Sequence, residues 1–182
     1  MARQRFSTAQ EVFDTFPSAC DDIRAAPTAE APMTFLEALR NSGTPEDAVT
    51  FLAYALGRRE AVWWAAQSVR LLGRIGAGQE DAMLLAAEDW VRDPEDQRRR
   101  EALRLGMGSD RRLATTWVAL AAAWSGGNVA PGQGAVMATP EMTPKAVRTG
   151  ILVALATVTA RERASRLQLC VDAGLRLMKA EA

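Results

Sequence analysis

The sequence predicts an all-α protein, either an irregular helical bundle or a short α-solenoid-like stack of helical hairpins, with about seven to nine helices. Three observations lead to this prediction. The long apolar patterns repeat with a period near 3.6 residues, and no run of four or more residues alternates like a strand. Capping residues, prolines and glycines also recur as helix starts and stops along the chain.

The predicted organisation is a short N-terminal segment followed by one helical domain. Residues 1–32 are expected to form one helix, from Ser7 to Phe13, and a connector that contains three prolines. Residues 33–182 are expected to form a single domain, since 48% hydrophobic residues in a chain of 182 suffice for one core. Counted from their capping residues, the later helices are predicted at residues 34–40, 44–56, 59–72, 80–92, 93–105, 109–124, 143–158 and 161–179.

Three of these helix starts place a proline directly after a capping residue: Thr44-Pro45, Asp93-Pro94 and Thr143-Pro144. They lie 49 and 50 residues apart, which is typical of stacked helical-pair repeats. However, such starts also arise by chance, and a Gly- and Pro-rich connector at residues 126–142 replaces one helix of the middle unit. A degenerate repeat starting near residues 44, 93 and 143 and an irregular bundle therefore both stay open.

The charge balance argues against bulk attraction to nucleic acid or anionic lipid, because 22 basic residues cancel 22 acidic ones. Residues 1–96 carry 9 basic and 16 acidic side chains, and residues 97–182 carry 13 and 6, so the halves stand at −7 and +7. This asymmetry indicates either a dipole that orients a partner or uneven sampling of a solvated surface.

The location predicted from the sequence is the cytoplasm. The N-terminal residues lack the apolar core of a secretory signal, and the longest apolar runs, 117–124 and 150–158, fall short of the roughly 18 residues that cross a bilayer. Cys20 and Cys170 are far apart, and both are interpreted as reduced thiols. We therefore expect a soluble protein without membrane contact.

Histidine is absent from the chain, which excludes His-based general base catalysis and every catalytic triad that needs an imidazole. Lys145 and Lys179 are the only lysines, and no P-loop or nucleophile motif is present. The acidic pairs Asp21-Asp22 and Glu80-Asp81 lack calcium or zinc ligand spacing and are interpreted as helix-start charges. We expect no catalytic residue, no metal site and no cofactor, and hence a protein that is not an enzyme.

The helix at residues 59–72 contains the candidate partner-binding residues. Its helical phase buries Trp64 on an apolar flank, whereas Trp63 falls on the opposite edge. The candidate partner-binding residues on that edge are Arg59, Trp63, Gln67 and Arg70. An indole between arginines is typical of protein interfaces. The alternative is that Trp63 packs on a neighbouring helix under the arginine stems.

Two further features are interpreted as surface. The arginines at positions 98–100, 104, 111 and 112 spread around their helices and have acidic residues three or four positions away, which favours a solvated, ion-paired face over a nucleic-acid site. The connector at residues 126–142 lacks the lysine and hydroxyl of a P-loop, and a mobile surface loop is expected.

Three other tryptophans, Trp90, Trp117 and Trp124, are expected in the core, because each lies in the middle of an apolar helix stripe. Leu113, Trp117, Leu120 and Trp124 form one predicted apolar column at positions i, i+4, i+7 and i+11.

Two motifs, Arg59-Glu60-Ala61-Val62-Trp63-Trp64 and Trp124-Ser125-Gly126-Gly127, make the chain resemble an uncharacterised all-helical bacterial domain family. The resemblance covers nearly the whole chain after about residue 30 and includes residues 33–39, 47–56 and 90–94. The family is associated with type VI secretion gene clusters. The resemblance therefore implies an adaptor, an effector chaperone or an immunity protein, with a secretion effector or spike component as partner. A nucleic-acid-binding or regulatory helical protein is the alternative function class.

Overall fold

The structure is a computed structural model that describes residues 5–75, 81–130, 132 and 134–181. These residues contain ten α-helices and no strand, which confirms the predicted all-α class. Nine of the ten helices have seven residues or more. The chain divides into two units, Met1–Gly57 with Ala160–Ala182, and Arg58–Thr159. The sequence-based division at residue 32 and the internal repeat both stay predictions.

The first unit contains five helices: α1 (Ala9–Thr15), α2 (Ala19–Asp22), α3 (Pro32–Arg40), α4 (Glu46–Ala55) and α10 (Ala160–Glu181). Helix α1 begins after Thr8, whose hydroxyl accepts the Glu11 backbone N–H at 3.2 Å. In return, the Glu11 carboxylate accepts the N–H of Ser7, the residue before the N-cap, at 2.6 Å, so the chain is held on both sides of the helix start. The four-residue α2 lies in the predicted connector, where Tyr54 of α4 donates its hydroxyl to Asp22 at 2.7 Å. This long-range bond is invisible to local sequence patterns.

Phenylalanine forms the core of this unit. All five phenylalanines of the chain and its single tyrosine are buried there. The aromatic residues are Phe6, Phe13, Phe16, Phe35, Phe51 and Tyr54. The rings of Phe35 and Phe51 meet edge to face with centroids 4.9 Å apart, a favoured aromatic arrangement.

Helix α10 covers this unit with the apolar stripe that its period predicts. The buried residues of this stripe include Leu167, Cys170, Val171, Gly174 and Met178. Two ion pairs fasten α10 to its neighbours: Arg163 contacts Glu46 of α4 at 3.2 Å, and Asp172 contacts Arg40 of α3 at 2.9 Å. Cys20 and Cys170 are both free thiols.

The second unit contains the other five helices: α5 (Arg58–Gly73), α6 (Ala82–Arg92), α7 (Asp96–Met107), α8 (Ala114–Ala123) and α9 (Met142–Ala156). The start predicted for α6, Glu80, lies outside the described residues. Asp81 caps this helix, because its carboxylate accepts the backbone N–H groups of Met83 and Leu84 at 3.0 and 3.1 Å.

Helix α8 is the central helix of the second unit, and α5, α6, α7 and α9 all pack on it. Its sequence is apolar or small on every side, which is typical of a helix buried all round. Two glycines allow α7 and α9 to approach α8 closely. A Cβ on Gly106 of α7 would lie 2.9 Å from the Leu120 side chain, and a Cβ on Gly150 of α9 would lie 3.3 Å from the Ala114 carbonyl oxygen.

The predicted start of α8 at Ser109-Asp110 is wrong, because the helix begins at Ala114. The Asp110 carboxylate accepts the backbone N–H of Arg112 at 2.9 Å and also pairs with the Arg112 guanidinium, so it closes a turn before the helix. As a result, Leu113 takes the N-cap position with 48% of its surface exposed, and the predicted apolar column fails there.

The three tryptophans expected in the core have different environments. Trp90 is buried at 6% exposure, as predicted, but Trp117 and Trp124 are only half-buried, so the prediction is wrong for these two. The buried sides of α8 carry alanine, threonine, valine and leucine, and the two large rings lie at the rim. There they pack edge to face at 6.3 Å, and the Trp117 indole N–H donates to the Arg111 carbonyl at 2.8 Å.

None of the helices within the described ranges combines the length and apolarity that a membrane span requires.

Trp64→Ala is expected to destabilise the protein by roughly 3–5 kcal/mol, because its side chain is only 1% exposed and its removal empties an aromatic core site. Trp117→Ala is the matched comparison and should cost less, since that ring is half-buried. Urea unfolding monitored by circular dichroism measures both changes. Equal losses for the two variants would contradict the assignment of Trp64 to the core and Trp117 to the rim.

Candidate protein-binding surface

The four candidate partner-binding residues lie along one edge of α5, as their spacing predicts. This edge, called the Trp63 edge below, consists of Arg59, Trp63, Gln67 and Arg70. Trp63 exposes 40% of its surface, whereas the adjacent Trp64 exposes 1%. The predicted difference between the two indoles is therefore present in the structure. Gln67 is half-buried beside them.

Arg70 joins α5 to α6 through a bidentate ion pair. Its Nε and Nη2 atoms donate to the two Glu88 carboxylate oxygens at 2.7 and 3.0 Å. Both side chains are mostly buried, and the hydrogen bond with Glu88 raises the pKa of the Arg70 guanidinium. Arg70 therefore stabilises the packing of α6 on α5 and also forms part of the Trp63 edge.

Arg59 joins the other end of α5 to the C-terminal end of α6. Its Nε donates to the Val91 carbonyl oxygen at 2.5 Å, and its Nη2 donates to that of Arg92 at 3.4 Å. Carbonyl groups at a helix C-terminus lack intrahelical partners and carry partial negative charge, so a guanidinium is favourable there. The two arginines hold α5 against α6 and leave Trp63 as the exposed aromatic side chain between them.

The arginine-rich helix α7 is mostly an ion-paired surface, as predicted. Arg98 pairs with Asp93 at 3.1 Å, and Arg104 pairs with Glu101 at 2.6 Å. The hydrogen bond from Arg104 lowers the pKa of the Glu101 carboxyl. These pairs are exposed, and pairs of this kind add little to stability.

Arg99 departs from that prediction, because it is buried at 6% exposure. Its Nη1 donates to the carbonyl oxygens of Ala123 at 3.1 Å and Asn128 at 3.4 Å. Its Nε and Nη2 contact Asp96 at 2.8 and 2.7 Å, and this hydrogen bonding lowers the pKa of the Asp96 carboxyl. The guanidinium therefore links the start of α7 to the end of α8 and to the connector.

The burial of Arg99 could have been predicted from its position in the helical repeat of α7. The buried face of α7 consists of Arg99, Ala102, Leu103 and Gly106, which lie at positions i, i+3, i+4 and i+7. Treating positions 98–100 as one charged run hides the fact that their side chains point in three directions. The middle arginine shares its face with the apolar residues, so its charged group must find partners inside the unit.

The Trp124-Ser125-Gly126-Gly127 motif closes the end of α8. Gly127 has a φ of +66°, and a Cβ at this position would lie 2.7 Å from the Arg99 Nη2 atom. Only glycine combines that backbone conformation with the space that the buried guanidinium needs. The glycine makes room for a side chain of the protein itself.

The connector after Gly127 is partly paired. Its residues 134–137 are exposed, as expected of a surface loop, and its mobility stays a prediction. An antiparallel bridge joins Asn128 to Met137, and the N–H of Val129 donates to the Val136 carbonyl at 2.8 Å. Val129 is buried at 6% exposure. Pro131 and Gln133 lie outside the described residues.

A groove of about 540 Å³ lies between α7 and this connector. Besides Arg99 and Gly127, its lining consists of Asp96, Arg100, Leu103, Arg104, Met107 and Asn128. We call it the α7 groove. It was not predicted from the sequence, because its walls come from segments that are distant in the chain.

In the part of the chain that the structure describes, no cluster of three or more cysteine, aspartate or glutamate side chains has the geometry to hold a metal ion.

Gly127→Ala is expected to destabilise the protein by roughly 1–3 kcal/mol, because alanine is strained at positive φ and its methyl group displaces the Arg99 guanidinium. Gly126→Ala is the matched control, since a Cβ there meets nothing within 4 Å. Urea unfolding of both variants provides the measurement. Similar free energies of unfolding for the two variants would contradict the role given to Gly127.

No curated protein and no solved structure is significantly similar to the chain. The model of one family, described as a family of unknown function (DUF6931), matches residues 35–178. Since this match covers most of the chain, the protein belongs to the family of unknown function DUF6931.

Proposed function

We propose that this chain is a non-enzymatic protein that binds another protein through the Trp63 edge. The observation that carries the proposal is the 40% exposure of Trp63 between Arg59 and Arg70, both anchored on α6. Aromatic side chains bury a large apolar area at little entropic cost, and they supply much of the energy of protein interfaces.

Rigidity supports this assignment. Because each arginine bonds to α6, the backbone on both sides of Trp63 is held before a partner arrives. A pre-organised surface loses less conformational entropy on binding than a flexible one. The non-enzymatic part of the proposal rests on the composition, which provides no histidine for acid–base chemistry.

The biological setting proposed for this activity is type VI secretion, in which the protein would act as an adaptor or effector chaperone, with an immunity protein as the alternative. This part rests on the resemblance of the Arg59–Trp64 and Trp124–Gly127 motifs. The partner proposed is a secretion effector or a spike component, and the cytoplasm is the proposed location.

Trp63→Ala is expected to weaken capture of the partner at least about tenfold, or about 1.4 kcal/mol, because it removes the aromatic contact. The tagged protein is incubated with lysate of its native host, and captured proteins are quantified by mass spectrometry. Trp63→Ala should also lower the melting temperature less than Trp64→Ala, since only part of the Trp63 ring is covered.

Leu169→Ala is the control, because Leu169 is an exposed apolar residue of α10, outside the Trp63 edge. Capture that survives Trp63→Ala would contradict the proposed surface. If the partner captured is unrelated to secretion, the setting is wrong while the surface stands. Binding to random duplex DNA that falls steeply with salt would instead favour the nucleic-acid alternative.

A further inference from the structure

The α7 groove combines an apolar strip with a row of cations. Leu103 and Met107 lie four residues apart on α7, as do Arg100 and Arg104. Residues at this spacing follow one another along a helix face, about 6 Å apart at 1.5 Å per residue. The two pairs therefore form parallel stripes. Leu103 is buried and Met107 is 50% exposed, so the strip is covered at one residue and open at the other.

The charge balance of the groove is positive. Three arginines, Arg99, Arg100 and Arg104, line it together with a single carboxylate, Asp96. Glu101 pairs with Arg104 at the rim, and even with this second carboxylate the cations exceed the acids. The Arg111 guanidinium adds a further cation, because its Nη2 lies 3.2 Å from the Met107 sulfur.

The outer cations of the groove are accessible to a ligand. The side chains of Arg100 and Arg104 are 73% and 67% exposed, and each forms one exposed ion pair, with Asp96 and Glu101 respectively. Exposed pairs of this kind are weak, so a carboxylate of a ligand can share or replace the existing partner. Arginine also binds carboxylates through two parallel hydrogen bonds, which gives such contacts a defined geometry.

One wall of the groove is held by the core. Arg99 is buried and bonds to Asp96 and to the Ala123 and Asn128 carbonyls, and Gly127 leaves room for it. Met107, in contrast, has a flexible thioether side chain that adapts to differently shaped apolar groups. A groove with one fixed wall and an adaptable side chain, Met107, suits a peptide more than a small rigid ligand.

We propose that the α7 groove binds an acidic segment of a partner protein that carries at least one large apolar side chain. The apolar side chain packs against Leu103 and Met107, and carboxylates of the segment pair with Arg100 and Arg104. The groove shares no residue with the Trp63 edge, so this proposal stands independently of the proposed function.

A peptide fits the groove better than a nucleic acid does. Leu103 and Met107 offer no aromatic ring on which a base could stack, whereas they can contact an apolar side chain of a peptide. The chain as a whole also has no net positive charge.

Selection from a random peptide library displayed on phage tests this proposal. The full chain is immobilised, and the wild type is compared with the double variant Arg100→Glu and Arg104→Glu. Arg112→Glu is the matched control, because that arginine is 90% exposed and lies outside the groove. We expect the wild type and the control to enrich acidic peptides with a large apolar residue, and the double variant to lose them.

Affinities of a selected acidic peptide are then measured by fluorescence anisotropy. We expect a loss of at least about tenfold in the double variant and a smaller loss in Met107→Ala, with binding retained in Trp63→Ala. Thermal melts monitor folding, and Arg100→Gln with Arg104→Gln replaces the charge reversal if that variant unfolds. Peptide binding that survives in Trp63→Ala separates this site from the Trp63 edge.

Three results would overturn the proposal: enrichment of basic or neutral peptides by the wild type, equal binding of the acidic peptide by wild type and double variant, or no enrichment at all. Displacement of the peptide by labelled duplex DNA, with DNA binding lost in the double variant, would overturn it in favour of a nucleic-acid site.

Discussion

The burial of most of α8 imposes the main constraint on the second unit, because the carbonyl groups at the end of a buried helix must find partners. Each of its last four carbonyls has one. The backbone N–H groups of Trp124 and Ser125 donate to two of them, Thr143 donates its hydroxyl to the Ala121 carbonyl, and Arg99 donates to that of Ala123. The motif at residues 124–127 is explained by this closure, since it supplies two donors and the glycine beside the guanidinium.

Arg99 connects this closure to the surface. The guanidinium that completes α8 also bonds to Asp96, and Asp96 pairs with the exposed Arg100 of the α7 groove. The groove therefore takes its shape from a core interaction. The Trp63 edge also depends on helix packing, because Arg59 and Arg70 bond to α6 and so hold the helix that carries the indole. In both places a charged side chain stabilises helix packing and so holds the backbone beneath the exposed surface.

The candidate surface was largely predictable, whereas the groove was not. The positions of Trp63 and Trp64 follow from the helical phase of α5, which is a local property. The rim positions of Trp117 and Trp124 do not, because α8 has no polar side from which an orientation could be read. The exposure of Leu113 was not predictable either, because the Asp110 carboxylate bonds within a turn instead of capping the helix.

By itself, the sequence determined the helical class, the approximate bounds of most helices, the apolar stripe of α10 and the division of roles between Trp63 and Trp64. These features depend on interactions within a few turns of helix, which leave a periodic record in the chain. Tertiary structure alone decided that Arg99 bonds to the end of α8, that α2 forms beside Tyr54 and that a groove opens next to Gly127. Each of these depends on groups separated by more than twenty residues, whose proximity is created by packing and leaves no local pattern.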